Sequence, residues 1–290
     1  MPLVPTLDLL HGAVARRTGV AAFNVIHLET AEALVTAAEE SRLPVILQIS
    51  QNCVRYHGEL EPIARATLSV AADSSARVAV HLDHAEDEEL TRRAIDLGFG
   101  SVMFDGAKLP YEANVEATVR VVEYAHVHDV SVEAELGEIG GKGGAHAPGI
   151  RTDPDEARRF VAETGVDSLA VAVGSSHAMT ERTARLDLDL VDRLRRAIPI
   201  PLVLHGSSGV SDELIGAAIR AGITKVNVST HLNRYFTEAV RSFLAANPDV
   251  VDSRDYLREG RAAVAQEAAR LMTLFAVAAR AASAAEEGQP

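Results

Sequence analysis

The sequence predicts an α/β protein, a closed (β/α)8 TIM barrel with a C-terminal helical extension, on three observations. Short runs rich in Val, Ile, Leu and Ala recur eight times along the 290 residues, helical segments lie between them, and polar residues cluster at the ends of the runs. The runs show no apolar-polar alternation, which is the pattern of strands buried on both faces of a parallel sheet. A doubly wound open sheet is the main alternative, but the glycine fingerprint that normally follows its first strand is absent.

The expected strands are GVAAFNV (19–25), PVILQIS (44–50), RVAVHLD (77–83), FGSVMFD (99–105), VSVEAEL (130–136), SLAVAVG (168–174), IPLVLHG (200–206) and ITKVNVS (223–229). TAEALVTAAEES (30–41) opens on a threonine, and DEELTRRAIDLG (87–98) and SDELIGAAIRAG (211–222) begin with a polar cap and stop at glycine. DPDEARRFVAETG (153–165) adds a proline in its first turn. The segment 255–287 is longer than one barrel helix and reads as the extension, with a frayed end. No linker interrupts the pattern, so residues 1–290 read as one barrel domain.

Composition narrows the partners. Asp and Glu number 41 against 28 Lys and Arg, giving a net charge of −13 and a pI near 5.3. No overall basic field is present for nucleic acid or an anionic membrane, so an anionic partner needs a local site. Cys53 is the single cysteine, the N-terminus lacks the order of a secretory signal, and no apolar run is long enough to cross a bilayer. These features predict a cytoplasmic protein.

In a barrel of this kind catalytic groups sit at the C-terminal strand ends. His84, His177 and His205 come from three different strand ends and would converge on one mouth, a three-imidazole set that leaves a coordination position open. A divalent metal is therefore expected, with zinc favoured by nitrogen donors, and Glu135 is an additional or alternative ligand. His81 is expected to face away from Asp83, serving packing or hydrogen bonding behind the site. HGSSG (205–209) and NVST (227–230) read as an anion cradle of freed backbone N–H groups and hydroxyls. The glycine-rich loop 137–149 is a candidate cover for the mouth.

Taken together, AFNV (22–25), HLDH (81–84), GFGSVMFDG (98–106), VEAELGEIGG (132–141), TGVDSLAVAVGSSH (164–177), LVLHGSSG (202–209), KVNVST (225–230) and DSRDYL (252–257) resemble the class II, metal-dependent ketose-bisphosphate aldolases. The resemblance implies reversible cleavage of a fructose- or tagatose-type 1,6-bisphosphate to dihydroxyacetone phosphate and glyceraldehyde 3-phosphate, through a zinc-stabilised enediolate. By motif, His84, His177 and His205 correspond to zinc ligands, Glu135 lies close to the metal, and Asp83 is the acid/base at the C4 hydroxyl. Gly206, Ser208, Asn227, Ser229 and Thr230 correspond to the dihydroxyacetone phosphate site, and Asn24 and Ser50 to polar pocket positions. Arg254 matches an arginine that grips the second phosphate across a subunit boundary, implying a homo-oligomer, dimer or tetramer. A monovalent cation, Na+ or K+, near the phosphate loop is also usual in the family.

The sequence departs from the family at three places. Gly141-Lys142-Gly143-Gly144 stands where an acidic pair is common, leaving His146 as the candidate replacement base; Ala107 replaces a common serine, and Ala178 a common glycine. An aldolase for another phosphorylated keto sugar, such as a deoxy-keto-gluconate phosphate, and a non-catalytic phosphosugar-binding protein are the alternatives. A mechanistically distinct one is an imine-forming aldolase using Lys225, one of only three lysines.

Overall fold

A computed structural model describes residues 3–136, 151–176, 179 and 181–278. The strands are β1 Val20–Asn24, β2 Val45–Ser50, β3 Val78–Ala85, β4 Ser101–Phe104, β5 Ser131–Leu136, β6 Ser168–Val171, β7 Leu202–Leu204 and β8 Ile223–Val228. All pairs are parallel, and β1 closes on β8 to complete the barrel. The TIM barrel expected from the apolar runs is the fold observed.

The helices are α1 Thr6–Arg16, α2 Leu28–Ser41, α3 Gln51–His57, α4 Glu61–Asp73, α5 Glu88–Asp96, α6 Tyr111–Val127, α7 Pro154–Thr164, α8 Leu188–Ala197, α9 Asp212–Ala221, α10 Thr230–Ala246 and α11 Ser253–Val277. Their starts follow local chemistry. The side chains of Asp87, Asp153, Asp187 and Ser211 accept hydrogen bonds from first-turn N–H groups of α5, α7, α8 and α9, each cap contributing about 1 kcal/mol. The extension is present as α11, packed on α10 and α2; it begins two residues before the expected start, and positions 279–287 lie outside the described residues.

Strand periodicity divides the buried groups into two layers. On β3, Val78, Val80 and Leu82 belong to the large core between strands and helices, whereas Ala79 packs inside the barrel with Ala22 and Ile46. Leu9, Leu10 and Ala13 of α1 join this inner cluster and plug the barrel at the end opposite the polar mouth. His81 lies on the inner face, two residues from Asp83, and bonds Ser101 and Lys225. The expectation that it would face away from Asp83 is incorrect, because residues two apart in a strand share a face; its hydrogen-bonding role remains. Among the described residues no helix is long and apolar enough to cross a membrane.

Candidate active site

The site begins with an irregularity at the end of β3. Adjacent residues of a regular strand point to opposite faces, yet Asp83 and His84 both line the mouth cavity. The pairing of β3 with β4 shifts register between Leu82 and Ala85, and His84 has φ of +49°. This left-handed conformation is costly for a residue with a Cβ. It turns the His84 ring toward His205 on the loop after β7.

Each of these imidazoles is oriented by a buried carboxylate. His84 Nδ1 lies 2.9 Å from Asp105 Oδ2, and His205 Nε2 lies 2.9 Å from Glu133 Oε1. A carboxylate accepts, so each outer ring nitrogen carries the proton and each inner nitrogen presents its lone pair. The inner nitrogens, His84 Nε2 and His205 Nδ1, face each other at 2.8 Å. Two lone pairs at that separation require a shared cation, either a proton or a metal. Two Zn–N bonds of about 2.05 Å at a tetrahedral angle would separate these nitrogens by about 3.3 Å, so a modest opening of the pair admits the metal. Burial, followed by the neighbouring His84, lowers the His205 pKa to about 4, which keeps the ring neutral and able to act as a ligand at neutral pH.

Asp83, His84 and His205 form one group with metal-ligand spacing, while Glu135 groups with His84 and Asp105. Glu135 is fully buried, 4.0 Å from His84 Nδ1, on the side of the ring turned to Asp105. His177 and His146, the third expected ligand and the candidate base, lie outside the described residues, as do Gly141-Lys142-Gly143-Gly144 and Ala178.

Asp83 is held by two amides: Asn24 Nδ2 and Asn227 Nδ2 each donate to it at 3.2 Å. Gln48 Nε2 in turn donates to Asn24 Oδ1 at 2.8 Å. Burial alone would raise the Asp83 pKa; at the low pH where it titrates, protonated His84 and His205 together with Lys225 outweigh burial and bring it down to about 2. Asp83 is thus ionised at neutral pH and set to accept a proton. Gln48 Oε1 and Asn227 Oδ1 are buried with no hydrogen-bond partner among the described residues, so two acceptors near Asp83 can receive donors such as hydroxyl groups.

These residues line a cavity of about 500 Å³ together with Ser50, Gly206, Ser208, Ser229 and Thr230. Gly206 has φ of +66°, and a Cβ there would meet the Ser176 backbone at 2.6 Å, so only glycine fits this turn. Ser208 Oγ accepts from the His231 N–H at 3.1 Å, and Thr230 opens the 17-residue helix α10, whose N-terminal N–H groups favour an anion. Arg254 does not line this cavity; its side chain is 83% exposed and paired with Asp252 at 2.6 Å.

Several neighbours escaped sequence reasoning. The partners of Asp105 and Glu133 are not legible in the sequence: Asp105 follows β4, next to the strand of His84, which is a signal, but Glu133 on β5 reaches His205 from two strands away. Arg55, Glu86 and Lys108 also line the cavity, on the loops and helix following β2, β3 and β4. Lys225, fully buried, does not line it and instead gives its ammonium to Glu133 at 2.7 Å.

The model of class II fructose-bisphosphate aldolase matches residues 4–280. The chain belongs to the class II fructose-bisphosphate aldolase family. This aldolase-family chain is 41% identical over 268 residues to the fructose-bisphosphate aldolase of Geobacillus stearothermophilus, covering 91% of this chain and 93% of that protein. Among solved structures, it resembles the YdjI aldolase of Escherichia coli K12, with a TM-score of 0.80 and 33% identity over 94% of this chain and 97% of the other. A fructose-1,6-bisphosphate aldolase described as putative, from Coccidioides immitis, superposes with a TM-score of 0.84 at 28% identity, covering 93% and 96% of the two chains.

Proposed function

We propose that this protein is a metal-dependent aldolase that reversibly cleaves a ketose 1,6-bisphosphate, of the fructose or tagatose type, to dihydroxyacetone phosphate and glyceraldehyde 3-phosphate. The observation that carries the reading is the pair of carboxylate-oriented imidazoles facing each other at 2.8 Å beside an ionised Asp83. The nitrogen donors favour zinc. His84, His205 and His177 would hold it, while Glu135, on the Nδ1 side of His84 with Asp105, would support that ligand from behind. When bound, the metal supplies an electrophile that stabilises negative charge developing on the substrate's ketone oxygen.

The chain's own residues supply the rest. Gly206, Ser208, Ser229 and Thr230 would hold the C1 phosphate with backbone N–H groups and hydroxyls, and Asn24, Ser50 and Asn227 would meet the sugar hydroxyls. In cleavage Asp83 takes the proton of the C4 hydroxyl as the C3–C4 bond breaks and C4 becomes the aldehyde carbon. The bond's electron pair stays with C3, which then gains a proton. In condensation Asp83 returns its proton to the new hydroxyl. His146 is the candidate base for the C3 proton, and His146→Ala should slow proton exchange on dihydroxyacetone phosphate without weakening zinc binding.

The exposure of Arg254, away from its own cavity, supports its acting on the cavity of a neighbouring protomer in a homo-oligomer. The buried Lys225 argues against an imine. The lone buried cysteine, whose thiol pKa burial pushes up to about 11, suits a reducing cytoplasmic setting.

The test is metal content and dihydroxyacetone phosphate release from fructose 1,6-bisphosphate and tagatose 1,6-bisphosphate, before and after chelation and zinc restoration. Zinc-restorable cleavage is expected, and the ratio of the two rates assigns the substrate. Stoichiometric zinc with no cleavage of either sugar would overturn the assignment.

A further inference from the structure

A continuous line of buried polar groups runs down the barrel axis beneath the paired histidines. From the mouth it passes from His205 Nε2 to Glu133 Oε1 at 2.9 Å, from Glu133 Oε2 to Lys225 Nζ at 2.7 Å, and from Lys225 Nζ to His81 Nε2 at 3.3 Å. It continues from His81 Nδ1 to Ser101 Oγ and from Ser101 Oγ to Thr6 Oγ1, both at 2.7 Å, ending at the first residue of α1. His205, Lys225, His81, Glu133, Ser101 and Thr6 are all no more than 2% exposed. An imidazole, a hydroxyl or a neutral carboxyl can donate or accept, so a line built only of these has no fixed direction. An ammonium donates only, and an ionised carboxylate accepts only. Lys225 and Glu133, adjacent in the middle of the line, therefore set the direction of every proton above and below them.

We propose that Lys225 is a positioning residue for the metal site: its ammonium holds Glu133 Oε2 and so fixes Oε1 against His205 Nε2, which aims His205 Nδ1 toward His84 Nε2. The proposal rests on the reading of His84 and His205 as metal ligands. Two features point this way. Lys225 is neither exposed to the cavity nor near enough to solvent to meet a substrate carbonyl, so burying its charge serves a partner inside the protein. That partner, Glu133, touches Lys225 with one oxygen and a candidate ligand with the other. Below, the same ammonium donates to His81 Nε2, leaving the His81 Nδ1–H for Ser101, so one cation orders both arms. Without it, the Glu133 carboxylate loses the contact that fixes its orientation, and the His205 ring loses the anchor that turns Nδ1 toward the metal position.

The experiment measures zinc affinity of the full-length chain by chelator competition, without substrate, for wild type, Lys225→Met, and Lys225→Met combined with Glu133→Gln. Loss of a group that orients a ligand costs about 10–100-fold in metal affinity, and a loss in that range is expected for Lys225→Met. The double variant removes both charges and leaves an amide carbonyl at position 133 free to accept from His205, so it should recover most of the affinity lost by the single variant. A folded Lys225→Met protein with wild-type zinc affinity would overturn the proposal, as would a double variant no better than the single one. Should Lys225→Met not fold, histidine 15N spectra of zinc-loaded wild type decide: a proton on His205 Nε2 is expected, and a proton on Nδ1 would overturn it. A covalent adduct on Lys225 after borohydride treatment with dihydroxyacetone phosphate would also overturn it. Zinc binding by wild type without cleavage would defeat the aldolase reading alone, since none of these readouts uses turnover.

Discussion

Gly206, Ser208, Ser229 and Thr230 form the β7–β8 side of the mouth from backbone and short side chains, whereas Arg55, Glu86 and Lys108 form the β2–β4 side from long ones. Lys108 and Glu86, joined at 2.8 Å, remain 50% and 39% exposed. Ordering a long charged side chain costs up to about 2 kcal/mol of rotamer freedom, and a serine or glycine loses far less. The first side is thus ready for one anionic group in one place, and the second adapts to what reaches it. The first side is also braced from behind. His231, whose N–H meets Ser208, sets its ring on Glu267 at 2.6 Å, and Glu267 and Asp212 share Arg270. Such a division suits an enzyme that fixes the phosphorylated donor half and discriminates acceptors through the rim.

The two sides meet at the metal position, where substitution should have its largest effect. His205→Ala should lower cleavage by about 10³-fold or more, the equivalent of several kcal/mol of lost charge stabilisation, and reduce zinc below one per chain by elemental analysis. Asp83→Asn should lower kcat by about 10²–10⁴-fold while zinc content stays at wild-type level; loss of zinc with it would make Asp83 a ligand instead. On the fixed side, Gly206→Ala forces a Cβ into the Ser176 backbone and a positive φ, and should cost about 1–3 kcal/mol of stability and raise KM for dihydroxyacetone phosphate in condensation. On the adaptable side, Arg55→Ala or Lys108→Ala should raise KM for the bisphosphate by no more than about fivefold, the scale of an exposed charge contact. Their proton exchange on dihydroxyacetone phosphate should be unchanged, and an altered exchange rate would erase the distinction between the sides.

The bracing cluster offers a pH test of the same distinction. Burial would raise the Glu267 pKa, but hydrogen bonds from Arg270 and His231 bring it down to about 2. A folded pKa below the unfolded value of about 4.3 means the contribution is complete above that value and is lost as pH falls through about 2. Melting curves of Glu267→Gln should therefore show a shallower fall in Tm than wild type between those limits, and parallel curves would remove Glu267 from the bracing.

The strands were legible because a segment buried on both faces cannot hide its composition: VAVHLD and ITKVNV read as strands wherever they are met. Short-range chemistry was equally plain at the capped helices α5, α7 and α9. The cavity-lining Asp83, His84, Asn227 and Ser229 could be nominated because they end strands, and strand ends of a barrel meet. The pairings across the barrel were not legible. Glu133 and His205 are 72 residues apart, and Lys225 and His81 are 144 apart, so only register and shear bring them into one line. The side taken by His81 follows from a period of two, but the irregular end of β3, where Asp83 and His84 escape that period, is a tertiary effect. The plug formed by α1 also went unread, since its stretch carries no mark of where it packs.

That irregular end sets a bound on how the molecule can be hardened against heat. Position 84 is held in a left-handed conformation that glycine would occupy without strain. His84→Gly would therefore relax the backbone there while deleting an imidazole from the mouth. Selection for thermal endurance alone would favour the change that selection for turnover forbids, so gains in heat resistance should accumulate at the rim and outer helices and leave the end of β3 as it is.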